Sequence, residues 1–351
     1  SQDSPLTSAN LLGFDLLIDA LLGTGVSRNL DGLLYDTVQA VNLSLIPTVS
    51  LDIPSGLNSD TGFPCGTAVK ANSTVTFGHL KRGLLLFPGA ELAGEIDVVP
   101  IGAPNIVSEQ SGFDGRLISK HHIISMLPTR KKDGHKGTFG HLLIVGGFLG
   151  KTGAAALTGK AALRTGCGLV TIATSREAQP VLESKCLEVM VDNVIDENSL
   201  SISEEIQNRI EALLKNKKAV VIGPGLGTEQ KTSQLVIEML KLLTVPTVLD
   251  ADGINILADI PAIAKEMKAP FVLTPHPGEM SKLMGESVQL IQQDRIGICR
   301  KAAERFQAVI VLKGAHTIIA APDGKVFVNP TGNSGMGTAG TGDVLTGIIG
   351  G

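Results

Sequence analysis

One pattern recurs along the later part of the chain: a short apolar run, a loop of glycines or acids, then a stretch with helical spacing. His141-Leu-Leu-Ile-Val-Gly-Gly147 opens the series. Gly168-Leu-Val-Thr-Ile-Ala173, Ala219-Val-Val-Ile-Gly223, Thr247-Val-Leu-Asp250, Phe271-Val-Leu-Thr274 and Val309-Ile-Val-Leu-Lys313 continue it. Such short, continuous apolar runs between turn signals read as strands buried on both faces. Helical stretches at 153–165, 232–243 and 294–306 lie between them. Repeated strand–loop–helix order implies an α/β fold, a mostly parallel sheet covered by helices on both faces. Ile318-Ile-Ala-Ala-Pro-Asp-Gly-Lys-Val-Phe-Val-Asn329 reads instead as a hairpin with an Asp-Gly turn.

The front of the chain repeats the order on a smaller scale. Phe14-Asp-Leu-Leu-Ile-Asp-Ala-Leu-Leu-Gly23 is open to strand or short helix, and its exit, Gly23-Thr-Gly25, favours a strand and loop. Residues 33–41 have helical spacing, and Pro47-Thr-Val-Ser-Leu-Asp52 is the next apolar run. A β-α-β unit puts the carboxyl ends of both strands on one edge, so Asp19 and Asp52 are expected to face one crevice. Either acid serves equally well as a loop cap. Residues 1–10 are polar and expected to fray. Residues 103–136 contain Pro104, Pro128 and no strong period, which places a domain boundary near residue 110 and divides the chain into 1–110 and 111–351.

Composition narrows the function. At 351 residues, with 43% hydrophobic and 18% charged, the chain fits about two compact domains. A net charge of −4 without a basic stripe argues against nucleic-acid binding. Cys65, Cys167, Cys186 and Cys299 form no metal-type pair and read as reduced thiols of a cytoplasmic protein. No apolar run is long enough for a bilayer, and no signal peptide is recognisable. The chain begins without Met and stops inside an expected helix, so both ends are expected to be cut.

The chemistry concentrates at strand ends and in one glycine-rich stretch, Asn333-Ser-Gly-Met-Gly-Thr-Ala-Gly-Thr-Gly-Asp-Val-Leu-Thr-Gly-Ile-Ile-Gly-Gly351. It reads as a loop feeding a helix, with Asp343 in the first turn. The amides of Gly340, Thr341 and Gly342, backed by the helix dipole, suit an anion. Asp343 beside them suits a base that takes a proton from a hydroxyl, although Asp is also a favoured cap. Gly223-Pro-Gly-Leu-Gly227 suits close backbone approach by a ligand, or is a plain turn. Asp250-Ala-Asp-Gly-Ile-Asn255 offers Asp250, Asp252 and Asn255 to magnesium through water, or caps the next helix. His276 is pinned between prolines in Thr274-Pro-His-Pro-Gly-Glu279, a setting for a ligand contact. Lys313-Gly-Ala-His-Thr317 offers a cation to a phosphate, or an ordinary solvated lysine.

Taken together, these words in this order resemble the nucleotide-dependent NAD(P)H-hydrate dehydratases of the ribokinase-like superfamily. Asp19-Ala-Leu-Leu-Gly-Thr-Gly25, Asp52-Ile-Pro-Ser-Gly56 and Thr76-Phe-Gly-His-Leu-Lys-Arg-Gly-Leu-Leu-Leu-Phe-Pro-Gly89 resemble the later half of the NAD(P)H-hydrate epimerase domain often fused to them. The resemblance implies an incomplete Rossmann-like epimerase domain followed by a ribokinase-like three-layer α/β/α domain. It assigns the nucleotide, ADP or ATP with magnesium, to Lys313, Gly314, Ala315, His316, Thr317 and Gly342. It assigns hydrated NADH or NADPH to Ala154, Gly227, His276 and Asp343, with Asp343 catalytic and Gly340–Gly342 as the anion hole. In the front domain it implies that Gly23, Thr24, Gly25, Val26, Ser27, Arg28, Asn29 and Asp52 hold the hydrate. Asp19 and Ser55 would hold potassium. The family's earlier glycine- and asparagine-rich loop has no counterpart before Asp19, so this front domain is expected not to interconvert the hydrate epimers. The single-chain fusion resembles the bacterial arrangement, which favours ADP, and a homo-oligomer is expected. Two other readings share parts of this pattern: a ribokinase-like kinase of a vitamin-type alcohol, and a non-catalytic nucleotide-binding protein.

Overall fold

A computed structural model of the chain describes residues 6–102, 115–195 and 204–351. It divides into two compact units, Ser1–Phe113 and Asp114–Gly351. The boundary expected near residue 110 lies outside the described residues.

The front unit carries four parallel strands in sequential order: β1 (Leu17–Asp19), β2 (Thr48–Leu51), β3 (Ser73–Phe77) and β4 (Glu95–Val99). The helix Gly32–Ser44 connects β1 to β2, as the spacing of residues 33–41 predicts. Ile53, Leu57, Ala68, Leu84 and Ala93 form its core. The segment before β1 is not frayed throughout: Ser8–Leu11 forms a 3-10 turn, closed by Thr7 and Asn10 bonding reciprocally.

The second unit is built on a ten-stranded sheet. Its strands are β5 (Gly115–Leu117), β6 (His141–Val145), β7 (Leu169–Ser175), β8 (Met190–Ile195), β9 (Ala219–Ile222), β10 (Thr247–Leu249), β11 (Phe271–Leu273), β12 (Val309–Leu312), β13 (Thr317–Ala320) and β14 (Val326–Asn329). Their order is β5-β14-β13-β12-β11-β10-β9-β6-β7-β8. Pairing from β8 to β12 is parallel throughout, and the expected hairpin is the antiparallel pair β13–β14.

From β6 the chain steps one way to β7 and β8; from β9 it steps the other way to β12. Right-handed crossovers running in opposite directions put their helices on opposite faces. The helix Thr152–Thr165 therefore covers one face, and Gln230–Leu242, Asp252–Asp259 and Arg295–Phe306 cover the other. Leu142, Ile144, Ala155, Ala162, Ile172 and Val221 form the core under the first face. The helix Thr341–Gly350 joins that layer, packing along Thr152–Thr165. The approach is close: a methyl on Gly347 would stand 2.2 Å from the Thr158 carbonyl oxygen. Among the described residues no helix is long and apolar enough to cross a membrane.

Candidate functional site

The strand order reverses between β6 and β9, the point in an open parallel sheet where a crevice forms at the carboxyl ends. The loops leaving the two strands meet there. The Gly147 N–H donates to the Pro224 carbonyl at 2.8 Å, and the Phe148 N–H to that of Gly225 at 2.9 Å. Gly223 is glycine for two reasons: its φ is +127°, and a methyl would stand 1.8 Å from the Asp250 carbonyl oxygen. Ala154 packs against Gly225, and the Gly227 N–H donates to Asp252 Oδ2 at 2.7 Å. Lys151 Nζ also reaches Asp252 Oδ2, at 3.3 Å. Ala154 and Gly227 thus fall in one cluster. Beyond Thr228 and Asp252 the surface opens into a pocket that Asn255, Asp259 and Lys282 also line.

Asp250, at the end of β10, is 1% exposed. A carboxylate this deep needs partners. Its Oδ1 accepts from Thr274 Oγ1 at 2.7 Å and from Lys313 Nζ at 2.8 Å. Its Oδ2 accepts from Thr346 Oγ1 at 2.8 Å. Lys313 is therefore no solvated lysine: its ammonium joins Asp250 and also faces Glu279 Oε2 at 3.6 Å. The reading of Asp250 and Asp252 as helix caps is also corrected. The helix Asp252–Asp259 starts after Ala251 with no side-chain cap, and both carboxylates accept from elsewhere.

His276 is the N-cap of the helix Pro277–Met284. Its Nδ1 accepts from the Gly278 N–H at 2.9 Å and the Glu279 N–H at 3.2 Å, while Glu279 Oε2 accepts from the His276 N–H at 2.7 Å. An accepting Nδ1 puts the ring proton on Nε2, 3.4 Å from Glu279 Oε1. The rigidity read from the flanking prolines is real, and a reciprocal cap produces it.

Asp343 is the third residue of the helix Thr341–Gly350, whose N-cap is Gly340 at φ +90°. The N-cap position is a glycine with no side chain, and Asp343 stands in the first turn, where its charge meets the helix dipole. Its carbonyl accepts from Thr158 Oγ1 at 3.1 Å, tying the first turn to the neighbouring helix. Burial pushes the Asp343 carboxyl above its ordinary range; the Asp250 charge adds to this, and Lys313 opposes both. Gly342 lies over the ion pair: a methyl there would stand 3.6 Å from Lys313 Nζ and 4.0 Å from Asp250 Oδ2. The first-turn amides of Gly342 and Asp343 have no partner within their own helix, while the Thr341 N–H donates to the Thr338 carbonyl at 3.4 Å. The arrangement is a helix N-terminus, a half-buried carboxylate and a fixed lysine at one place. It can hold a phosphoryl group and accept a proton beside it.

In the loop after β12, the Lys313 N–H donates to the Pro275 carbonyl at 2.9 Å. Gly314 has φ +143° and His316 +53°, and Thr317 Oγ1 donates to the Gly314 carbonyl at 3.1 Å. Thr274, Glu279 and Thr346 were not singled out in the sequence, though each holds part of the site. Glu279 stands at the capping-box position after His276, and Thr346 lies one turn beyond Asp343, so both had a spacing signal.

In the front unit, Asp19 is buried and its carboxylate is fully engaged. It accepts from Ser50 Oγ at 2.8 Å, the Ser55 N–H at 2.8 Å and Ser55 Oγ at 2.5 Å. Asp52, at φ +69°, is paired with Lys81, whose Nζ also donates to Thr76 Oγ1 and the Phe77 carbonyl. Burial alone would raise the Asp52 carboxyl, but Lys81 and the Phe77 N–H together hold it below its ordinary range. Asp19 also accepts from the Leu21 N–H in its own loop at 3.4 Å, and each acid is the centre of its own polar cluster. The loop 23–29 runs beside them: Asn58 Nδ2 donates to the Val26 carbonyl at 3.2 Å and Ser59 Oγ to that of Thr24 at 3.1 Å. A methyl on Gly66 would stand 3.4 Å from Asn29 Cβ.

Known proteins resemble this chain in sequence and in fold. Residues 142–351 match the family profile of NAD(P)H-hydrate dehydratase, and residues 1–83 that of the YjeF-related protein N-terminus. Bifunctional NAD(P)H-hydrate repair enzymes of Moorella thermoacetica and Thermofilum pendens are 44% and 42% identical, each over 97% of this chain. The chain spans 64% of the length of each of these two. The corresponding enzyme of Coxiella burnetii is 38% identical over 99% of this chain and 68% of its own. Among solved structures, an ADP/ATP-dependent NAD(P)H-hydrate dehydratase from Bacillus subtilis, co-crystallized with ATP and Mg2+, superposes with a TM-score of 0.55 at 33% identity. It covers 67% of this chain and 79% of its own. A ribokinase-like superfamily protein from Enterococcus faecalis superposes with a TM-score of 0.59 at 26% identity, covering 68% of this chain and 79% of its own. With a profile match over residues 142–351 and a relative 38% identical over 99% of this chain, the chain belongs to the NAD(P)H-hydrate dehydratase family.

Proposed function

We propose that the second unit, Asp114–Gly351, dehydrates the S epimer of hydrated NADH or NADPH with a nucleotide as phosphoryl donor. The observation that carries this is the placement of Asp343 beside the amides of Gly340, Thr341 and Gly342, over the Asp250–Lys313 pair. Asp343 takes the proton of the ring hydroxyl. The hydroxyl oxygen attacks the terminal phosphorus of ADP or ATP, and the bond to the shortened nucleotide breaks. The ring-nitrogen lone pair then expels phosphate, and loss of a proton from the next ring carbon restores the reduced nicotinamide. The first-turn amides and Lys313 offset charge on the transferring group without reorganising. Lys313, Gly314, Ala315, His316, Thr317 and Gly342 hold the nucleotide. Ala154, Gly227, His276 and Asp343 hold the hydrate.

Magnesium accompanies the nucleotide as its counter-ion. Among the described residues no three acids, histidines or cysteines gather into a metal cage. Magnesium on a nucleotide needs none, because it keeps its waters and binds mainly through phosphates.

The front unit, Ser1–Phe113, is read as an epimerase-type domain in which residues 23–29 and Asp52 meet the hydrate. Potassium at Asp19 and Ser55 does not fit the present arrangement. Three of the donors around Asp19 already occupy its oxygens, and no step is derived through that ion. A cytoplasmic homo-oligomer completes the proposal.

The test is to supply hydrated NADH with ADP or ATP and magnesium and follow the absorbance of regenerated NADH. Nucleotide-dependent recovery of the reduced ring, with inorganic phosphate formed in equal amount, is expected. Accumulation of a stable phosphate ester without NADH would overturn the assignment.

A further inference from the structure

Arg295 is the first residue of the helix Arg295–Phe306 and only 7% exposed. A cation at a helix N-terminus opposes the dipole, and a buried one ordinarily sits against a carboxylate. Here no carboxylate among the described residues acts on it, and Asp294 instead caps the helix through the Gly297 N–H at 2.9 Å. The guanidinium spends its donors on one loop. Nη1 donates to the Ala315 carbonyl at 3.0 Å, and Nη2 to those of Leu312 at 3.2 Å and Lys313 at 3.4 Å. Its buried Nε has no partner among the described residues. Gly314 rests on the same group, since a methyl there would come within 2.8 Å of Nη1.

We propose that Arg295 is a positioning residue that holds the loop 313–317 in the shape that receives the nucleotide phosphates. The inference rests on the nucleotide assignment above and deepens it. In a trans peptide the carbonyl and the following N–H point opposite ways. With the Lys313 and Ala315 carbonyls turned onto Arg295, the N–H groups of Gly314 and His316 turn to the other side of the loop. The same contacts fix the backbone from which Lys313 reaches Asp250. A planar fork presents its donors in one fixed geometry, so it orients these carbonyls more strictly than a freely rotating ammonium does.

The test compares wild type with Arg295→Lys and Arg295→Met by calorimetric titration with ADP and ATP and by steady-state kinetics. Arg295→Met keeps an apolar stem but no donors, and nucleotide Kd and KM are expected to rise roughly 10–100-fold, the worth of a charge-assisted hydrogen bond. KM for the hydrate should stay near wild type, and Arg295→Lys should fall between. A residue that only stabilises the core would lower the unfolding midpoint and leave the nucleotide constants unchanged in the folded fraction; that result overturns the proposal. Both variants failing to fold would assign Arg295 to the core and overturn it as well. If wild type itself binds neither nucleotide, the nucleotide assignment fails first. If wild type binds and both variants bind equally well, only the role of Arg295 falls.

Discussion

At the scale of single residues, the site is a set of charges whose neighbours decide their roles. Asp343 has its carboxyl raised, first by burial and then by Asp250. A raised folded-state value means the folded protein holds the proton more tightly than the unfolded chain. The resulting stabilisation is complete below the unfolded pKa and is lost as pH rises through the folded one. Asp343→Asn should therefore stabilise the protein at neutral pH, seen as a higher thermal midpoint. Turnover should drop roughly 10²–10⁴-fold, the range for losing a general base, with nucleotide affinity kept. In wild type the acid limb of the pH–rate profile should lie above the range of an ordinary carboxylate and disappear in the variant. A near-normal rate for Asp343→Asn would exclude it as the base. Lys313 carries a different expectation. Lys313→Ala leaves the Asp250 carboxylate buried without its cation, at a cost of about 3–5 kcal/mol in urea unfolding. Part of that should return in the double variant with Asp250→Asn. Equal stabilities of Lys313→Ala and wild type would show the pair to be dispensable.

At the scale of elements, the glycines mark where backbones touch. The helix Thr341–Gly350 lies on Thr152–Thr165 because Gly347 leaves room for the Thr158 carbonyl. Gly347→Ala must push the helices apart, and the Asp343 carbonyl would lose its bond from Thr158. We expect a loss of about 1–3 kcal/mol in stability, as for overpacking a tight contact, together with slower turnover. Unchanged kinetics with lowered stability would separate the packing from the chemistry. Strands β6, β7, β9, β10, β11 and β12 were legible because each is a continuous apolar run, and the helix 294–306 was legible from its period. Strands β3, β4, β5 and β8 were not singled out. Ser73–Phe77 is mostly threonine and serine, Gly115–Leu117 is three residues with no alternation to read, and Met190–Ile195 carries Asp192 and Asn193. Their pairing partners, supplied from elsewhere in the chain, make them strands.

At the scale of the whole molecule, two units mean two cores, so a ligand need not act on both. Nucleotide at about 100 times its Kd should add about 2.7 kcal/mol to the unit that binds it. Calorimetry is expected to show ADP or ATP raising the transition of Asp114–Gly351 while that of Ser1–Phe113 stays in place. A shift of both together would show the units to unfold as one. The motifs Gly-Thr-Gly-Asp, His-Pro-Gly-Glu and Lys-Gly-Ala-His-Thr were readable in the chain because their chemistry is local: a turn, a cap, a helix start. The parallel sheet was readable because apolar period and loop order repeat. The sequence by itself could not show that Lys313 faces a carboxylate sixty-three positions earlier. Nor could it show that Thr346 completes that carboxylate, or that Arg295 spends its donors on the loop after β12. Those are contacts between segments far apart in sequence. Only the tertiary structure decides them, because burial turns a surface charge into one that must find its partner.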